Sequence, residues 1–263
     1  MRNIQTLSID NIIIRTNSGS NRLLHHFIFT PAQYRHKGYA TKLMKLLNHK
    51  LRFECKAKFS YLYSEVGSDF YSILGWRIFP HKEIKFDRFS MSLKHSELIV
   101  AINQSNLETI ISYITTKPAF DWLFQKTNLY SKFYAVTNDQ RQFGAMISNK
   151  KKESYNEKEE LFERFIMWNH DFRGNKLFII RFRCDSPYST RLLIQQAIQE
   201  ASKFQFKQII LWNPDLRLFN NSEGLNVFEV EISERTESLP YLSWYADNDD
   251  NVDWILIEKY SWF

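Results

Sequence analysis

The sequence feature that most constrains this chain is a glycine turn between an apolar segment and an amphipathic one. Residues 23–30 (LLHHFIFT) have the composition of a buried strand, and they are followed by Pro31 and by the hexapeptide RHKGYA at residues 35–40. Apolar residues then recur at helical spacing: Ala40, Leu43, Met44, Leu47 and Leu51. This spacing is typical of a helix that lies on a sheet. The segment therefore predicts a strand, a tight turn and a helix packed on that sheet.

The turn also predicts an anion site. The first N–H groups of a helix have no intrahelical partner and lie at the positive end of the helix dipole, so an anion there is stabilised by roughly 0.3–1 kcal/mol. Arg35 and Lys37 add positive charge, and Gly38 lets the backbone approach a ligand without a side chain in the way. A phosphate group fits these properties best.

Two segments carry a resemblance to a known superfamily. The hexapeptide at residues 35–40 resembles motif A of the GNAT acetyltransferases, which reads Arg/Gln-x-x-Gly-x-Gly/Ala. Residues 69–76 (DFYSILGW) resemble the second signature of that superfamily, a tyrosine four residues before a glycine and an aromatic residue. One strand (KFSYLYSEV, residues 58–66) and one helix fill the space between the two segments.

The amino-acid sequences of these segments are most similar to those of the fungal lysine N6-acetyltransferase family. Residues 29–44 and 62–76 carry the likeness, and the C-terminal segments SLPYLSWYAD and VDWILIEKYSWF extend it over most of the chain. The resemblance implies that acetyl-CoA is a co-substrate and that the acceptor is the side-chain amine of free lysine or a similar small amine.

The same resemblance implies which residues bind acetyl-CoA. The residues of the loop and the first turn of the helix would hold its pyrophosphate: Arg35, His36, Lys37, Gly38, Tyr39, Ala40 and Thr41. Backbone N–H groups at the end of the preceding, splayed strand would lie near the thioester carbonyl, at Ile28, Phe29 and Thr30.

Catalytic residues are predicted at two further positions. By analogy with the family, Tyr71 would donate a proton or hydrogen bond to the sulfur of the coenzyme; its alternative is a helix tyrosine packed on the sheet. A lysine ammonium has a pKa near 10.4, so a carboxylate or a water chain must take its proton before attack. Glu65 is the first candidate and Asp69 the second, although either could instead cap the helix that begins near Ser68. Arg235 is the candidate partner for a substrate carboxylate.

The predicted fold class is α/β (α+β), with a GNAT-like mixed sheet and flanking helices in residues 1–100. Residues 101–263 are predicted to form a second GNAT-like α/β domain without a cofactor motif. Its predicted strands lie at residues 143–148, 163–172, 176–185 and 208–214, with a helix from 189 to 204. The turn before that helix contains Asp185 and no glycine, which disfavours a pyrophosphate. Residues 98–116 are predicted to form a helix that leads into this second domain.

The predicted first domain lacks elements that precede motif A in the family. Only 22 residues precede Leu23, which is room for one strand, so the first strand, two helices and the second strand are expected to be missing. Such a truncation would remove one wall of the acceptor site. The alternative function is therefore a truncated, non-catalytic GNAT relative that acts as a binding or scaffold protein.

Composition disfavours several other functions. The net charge of +6 comes from dispersed basic residues interleaved with acidic ones, so no nucleic-acid partner is expected. The two distant cysteines and seven scattered histidines give no metal-ligand spacing. Because the two cysteines also form no disulfide framework, a reducing compartment is expected. Without a leader or a long apolar run, no membrane association is expected and a cytoplasmic location is predicted. The oligomeric state is left open.

Overall fold

The computed structural model of the chain describes residues 12–15, 21–24, 30–86, 99–103, 141–147, 164–219, 230–246 and 257–259, the first two segments by their backbone only. The strands in this part of the chain are β1 Ile12–Arg15, β2 Asn21–Leu24, β3 Phe59–Ser64, β4 Arg77–Ile78, β5 Lys82–Phe86, β6 Ile99–Asn103, β7 Gln142–Ile147, β8 Phe165–Asp171, β9 Lys176–Arg183, β10 Gln208–Trp212, β11 Val230–Glu234 and β12 Leu239–Trp244. The α-helices are α1 Tyr39–His49, α2 Asp69–Ser72 and α3 Pro187–Lys203. The predicted α/β class is confirmed.

The chain forms two compact units, and the first combines residues 1–81 with residues 234–257. Its sheet has the strand order β2-β1-β3-β12-β4. Strand β12 pairs antiparallel with β3 along its whole length, from Leu239 opposite Ser64 to Trp244 opposite Phe59. A strand near the C-terminus thus lies inside the N-terminal sheet, between β3 and β4.

Helix α1 packs on one face of this sheet, as its apolar spacing predicts. Met44 and Leu51 are buried in a cluster with Leu62 of β3 and Tyr241 of β12. The helix continues beyond His49 as a π-helical turn, Lys50–Glu54, which places Leu51 in the same cluster. Burying an aliphatic side chain of this size contributes about 1.5–3 kcal/mol before entropic costs.

The strand predicted over residues 23–30 differs from the observed one. Strand β2 ends at Leu24, residues 25–29 lie outside the described part, and Thr30 is not in a strand. Within the described residues, β3 pairs antiparallel with β1 and β12, and β2 pairs with β1. Residues 12–15 and 21–24 pair with each other as antiparallel strands. The prediction of one strand over residues 23–30 rested on a single apolar run and did not consider this pairing.

The second unit comprises residues 82–233 with a few C-terminal residues, and its sheet is mixed. The strand order is β11-β5-β10-β9-β8-β7-β6, in which β9 and β10 run parallel and the intervening segment is helix α3. The strand-helix-strand order predicted for residues 176–214 is confirmed, together with the flanking strands β7 and β8.

Helix α3 buries the face that its sequence predicts. The predicted apolar positions are all buried in the core of this unit: Leu193, Ile194, Ala197, Ile198 and Ala201. The helix begins two residues earlier than predicted because Ser186 caps it, with its side-chain oxygen accepting a hydrogen bond from the Ser189 N–H at 3.3 Å, and Pro187 fits the first turn.

The expected helix over residues 98–116 is wrong at its start, since Ile99–Asn103 is the edge strand β6 paired antiparallel with β7. The rest of that segment lies outside the described residues. Strand β5 also joins the second sheet, although it lies within residues 1–100, the predicted first domain. Neither compact unit is one continuous segment, because β12 returns to the first sheet. The functional division at residue 100 stays a prediction.

Candidate functional site

A cleft in the first unit brings together most of the predicted site residues. Its volume is about 480 Å³. The lining residues come from the turn before α1, the start of α1, the end of β3 and helix α2: Thr30, Tyr34, Arg35, His36, Gly38, Tyr39, Ala40, Thr41, Ser64, Val66, Phe70 and Tyr71. Residues more than 20 positions apart in the sequence therefore face one space.

The turn before α1 is held in shape by hydrogen bonds among its own residues. A short 3₁₀ turn, Ala32–Tyr34, follows Pro31, and the Arg35 side chain donates from Nε to the carbonyl oxygen of Thr30 at 3.0 Å. His36 has φ 59° and Gly38 has φ 74°, so the chain enters the left-handed region twice before the helix starts. That region is costly for most residues and open to glycine.

Helix α1 begins at Tyr39 without a capping side chain. Gly38 is the N-cap residue, and no side-chain hydrogen bond is made there. A Cβ atom built on Gly38 would meet no heavy atom within 4 Å, so the glycine is explained by its positive φ and the adjacent space, not by close packing. Gly38, Tyr39, Ala40 and Thr41 line the cleft, so the first turn of the helix, which is the positive end of its dipole, lies beside it.

Basic side chains surround this helix start. Lys37 is exposed, and its Nζ lies 5.6 Å from the centre of the Tyr34 ring. A second, more open hollow of about 550 Å³ runs along the outer face of α1, where Lys42, Lys45 and His49 take part in its lining together with Gly38 and Thr41. Lys37 and Lys42 thus place positive charge next to the uncapped helix start, as an anion site requires, while Lys45 and His49 lie further along the helix.

Tyr71 forms part of the cleft wall and is 5% exposed. Its ring is edge-on to Trp76, with centroids 6.4 Å apart, and 5.3 Å from the ring of Tyr241. Trp76 is the last residue of the signature. Its ring is held in place because Nε1 donates a hydrogen bond to Ser60 Oγ at 3.0 Å. Gly75 allows this turn because its φ is 95°. The second signature therefore fixes the position of the tyrosine ring.

Glu65 follows β3 directly and lies in the chain between two lining residues, Ser64 and Val66. Glu65 is exposed, and its Oε1 accepts a hydrogen bond of 2.7 Å from the hydroxyl of Ser238. Asp69 opens α2, where Oδ1 accepts from the Ser68 hydroxyl at 2.9 Å; Ser68, the N-cap residue, makes no capping hydrogen bond with its side chain.

Arg235 lies away from the cleft lining. It is 4% exposed, and both its backbone N–H and its Nε donate to the carbonyl oxygen of His81, at 2.8 and 3.2 Å. A side chain this buried is poorly placed to receive a substrate carboxylate from solvent. Ile28 and Phe29, the other predicted cofactor contacts, lie outside the described residues.

The cleft also contains residues that sequence reasoning missed. Ser64, Val66 and Phe70 line it. Outside the lining, Ser238, which directly precedes β12, reaches Glu65 from 173 residues further along the chain. The first three flank predicted residues, so the motif spacing contained a signal for them. Ser238 has no local signal, because its role follows from the pairing of β12 with β3.

The corresponding turn of the second unit is built differently. Asp185 is exposed, and its Oδ2 lies 3.9 Å from the Nε of Arg164. The N–H of Ser189 is already bound by the Ser186 side chain. Among the described residues, no group of three or more potential metal ligands is present, and no helix has the length and apolar character needed to cross a membrane.

The sequence of residues 92–263 matches the model of one protein family, the LYC1 GNAT-like C-terminal domain. The chain belongs to this family. The matched region contains β12, α3 and the strands of the second sheet other than β5, whereas the glycine turn at residues 35–41 precedes it. No protein of curated function has a matching sequence.

Several solved structures are similar to this GNAT-like chain. A probable N-acyltransferase from Enterococcus faecalis V583 is 13% identical, with a TM-score of 0.47 over 89% of this chain and 57% of that one. A GCN5-related N-acetyltransferase from Kribbella flavida is 14% identical, with a TM-score of 0.43 over 89% and 54%. One from Sphaerobacter thermophilus is 12% identical, with a TM-score of 0.47 over 92% and 83%. The chain thus spans little more than half the length of the first two.

Proposed function

We propose that this chain is a GNAT-type N-acetyltransferase that moves an acetyl group from acetyl-CoA to the side-chain amine of free lysine or of a similar small amine. The observation that carries the proposal is the uncapped start of α1, with Gly38 in the left-handed region, which opens into a cleft that also contains Tyr71. Membership of the GNAT-like family supports the reaction class.

The pyrophosphate of acetyl-CoA would bind at the amides of Tyr39, Ala40 and Thr41. These groups need acceptors, and the basic side chains of Arg35 and Lys37 stand on the same turn. The thioester would extend from there toward the end of β3 and Tyr71. Thr30, Phe29 and Ile28 remain the proposed source of backbone N–H groups near the carbonyl.

The chemistry requires two proton movements. The acceptor ammonium must lose a proton before its nitrogen attacks the thioester carbonyl, and the thiolate of CoA must gain one as the carbon–sulfur bond breaks. Glu65, beside the lining residues Ser64 and Val66, is the proposed acceptor of the first proton. Tyr71 is the proposed donor of the second. Lysine as the substrate is supported by the resemblance of residues 29–44 and 62–76 to the lysine N6-acetyltransferases.

Calorimetry with CoA tests the cofactor site. We expect Gly38→Glu to weaken CoA binding at least tenfold, because it puts a carboxylate at the anion site and forces a non-glycine residue to φ 74°. The matched control is Gly67→Ala, since Gly67 lies near the end of β3, has no positive φ and would place its Cβ in open space. Equal CoA affinity in wild type and Gly38→Glu would contradict the assignment of the CoA site to this turn.

Thiol release with free lysine tests the reaction. Norleucine is the matched substrate control, because it keeps the α-amine and the chain length but lacks the side-chain amine. We expect CoA release with lysine and not with norleucine, and a product acetylated at the side chain by mass spectrometry. CoA binding without amine-dependent release would instead support a binding protein.

A further inference from the structure

The carboxylate proposed to accept the substrate proton is held by a residue from the far end of the chain. Ser238 is 5% exposed, and its hydroxyl donates to Glu65 Oε1 at 2.7 Å, which is a short hydrogen bond. Glu65 itself is exposed and follows the last residue of β3. Without this contact, its side chain could adopt several rotamers in solvent.

The sheet register explains why Ser238 reaches this position. Leu239 opposes Ser64 at the end of the antiparallel pairing of β12 with β3, so the residues one step beyond, Ser238 and Glu65, lie near each other and meet through their side chains. Ser238 has φ 50°, an uncommon conformation for serine. The chain accepts this backbone cost at the residue whose hydroxyl binds the carboxylate.

A second contact from β12 fixes the segment that follows Glu65. The Tyr241 hydroxyl donates to the carbonyl oxygen of Gly67 at 2.9 Å, and the Val66 N–H donates to Ser64 Oγ at 2.9 Å. In the segment between β3 and α2, Ser238 therefore holds the side chain of Glu65, and Tyr241 holds the backbone at Gly67. It leads directly to Tyr71 on α2.

We propose that Ser238 is a positioning residue for acetyl transfer, which orients the Glu65 carboxylate for removal of the substrate proton. The inference rests on the proposed function and adds to it a residue from the family-matched region, residues 92–263. Proton transfer requires the base within hydrogen-bond reach of the proton, so a carboxylate that rotates freely transfers less efficiently. Ser238 touches neither substrate in this role and acts through Glu65.

Two variants of Ser238 separate the hydroxyl from the backbone. Ser238→Gly removes the hydroxyl and suits the left-handed conformation, whereas Ser238→Ala removes the hydroxyl and keeps the unfavourable φ. We expect both to lower kcat about tenfold, with the KM for acetyl-CoA within about twofold of wild type. Ser243→Ala is the matched control, because Ser243 is a buried serine on β12, the strand that follows Ser238, and it lies opposite Ser60 at the far end of the pairing.

A double-mutant cycle tests whether Ser238 acts through Glu65. In the Glu65→Gln background, Ser238→Gly should change kcat less than twofold, because the group that it orients no longer accepts a proton. Independent tenfold losses in the two backgrounds would overturn the inference. So would a full kcat in Ser238→Gly with a loss confined to Ser238→Ala, which indicates a backbone effect.

A measurement without turnover completes the test. The carboxyl carbon of Glu65, labelled with ¹³C and assigned by its loss in Glu65→Gln, should change its chemical shift in Ser238→Gly and keep it in Ser243→Ala. An unchanged shift in Ser238→Gly overturns the positioning role whether or not the enzyme turns over. A wild type that does not bind CoA would instead refute the proposed function, and so would CoA binding without amine-dependent turnover, whereas the chemical shift alone decides whether Ser238 orients Glu65.

Discussion

Tyr71 shows how a single buried ring can be tested for chemistry separately from packing. Its ring contacts Trp76 and Tyr241, and these contacts survive the loss of the hydroxyl. We expect Tyr71→Phe to lower kcat about 100-fold or more, the usual contribution of a general acid, with CoA affinity within about twofold. Thiol release and calorimetry measure the two effects. Tyr61→Phe, on β3, is the control, and an unaffected kcat in Tyr71→Phe would leave the tyrosine as a packing residue.

A second prediction at the residue scale concerns Glu258. Burial raises the pKa of this carboxyl from 4.5 to about 7, and the hydrogen bond from the Phe182 N–H and the nearby Arg181 guanidinium lower it only in part. Between pH 4.5 and 7 the folded chain therefore binds more protons at this site than the unfolded chain. Its contribution to the free energy of unfolding falls as pH rises through this window.

Glu258→Gln should remove that pH dependence, because glutamine does not titrate and can still accept from Phe182. We expect the stability difference between wild type and variant to change by about 3 kcal/mol, mostly between pH 4.5 and 7, and to become constant about one pH unit above 7. Urea unfolding at several pH values measures this. Subtracting the two curves cancels other titrations, such as that of His170, whose pKa burial lowers. Parallel curves would contradict the assignment.

Helix α3 gives the clearest prediction at the scale of one element. Replacing Ser186 by alanine removes the acceptor for the Ser189 N–H and should lower the free energy of unfolding by about 1 kcal/mol. Ser202→Ala is the matched control, since Ser202 is an exposed serine at the other end of the same helix. Denaturant unfolding should give a lower midpoint with an unchanged slope only in Ser186→Ala. Equal midpoints would mean that the cap contributes little.

The elements differ in how much of them the sequence could predict. Helix α3 and the buried face of α1 follow from apolar spacing within 15 or so residues, which is a local signal. The signals for the glycine turn and for Tyr71 were also local, and both line the cleft. Residues 99–103 were assigned to a helix because a short apolar run fits either element, and pairing with β7 makes them a strand. The Ser238–Glu65 contact depends on distant strand pairing, for which a single sequence carries no readable signal.

At the scale of the whole molecule, the position of β12 determines which pieces of the chain can fold. The core of the first unit needs Leu239, Tyr241 and Tyr245 from the C-terminal part as well as Met44 and Leu51. The hydroxyl of Tyr245 is 2.7 Å from Ser60 Oγ, so a polar contact joins the same segments. Deleting buried residues of this size costs several kcal/mol each, which is comparable with the total stability of a domain.

We therefore expect residues 1–100 expressed alone to show no cooperative thermal unfolding and no CoA binding. Co-expression with residues 101–263 should restore both, because the second fragment supplies β12 to pair with β3. The matched control is a second fragment in which Leu239 and Tyr241 are replaced by serine, which keeps β7 to β10 and α3 but should fail to restore CoA binding. Cooperative unfolding of residues 1–100 by themselves would instead favour the division of the chain at residue 100 that its sequence predicts, with β12 as an addition to a domain that is already stable.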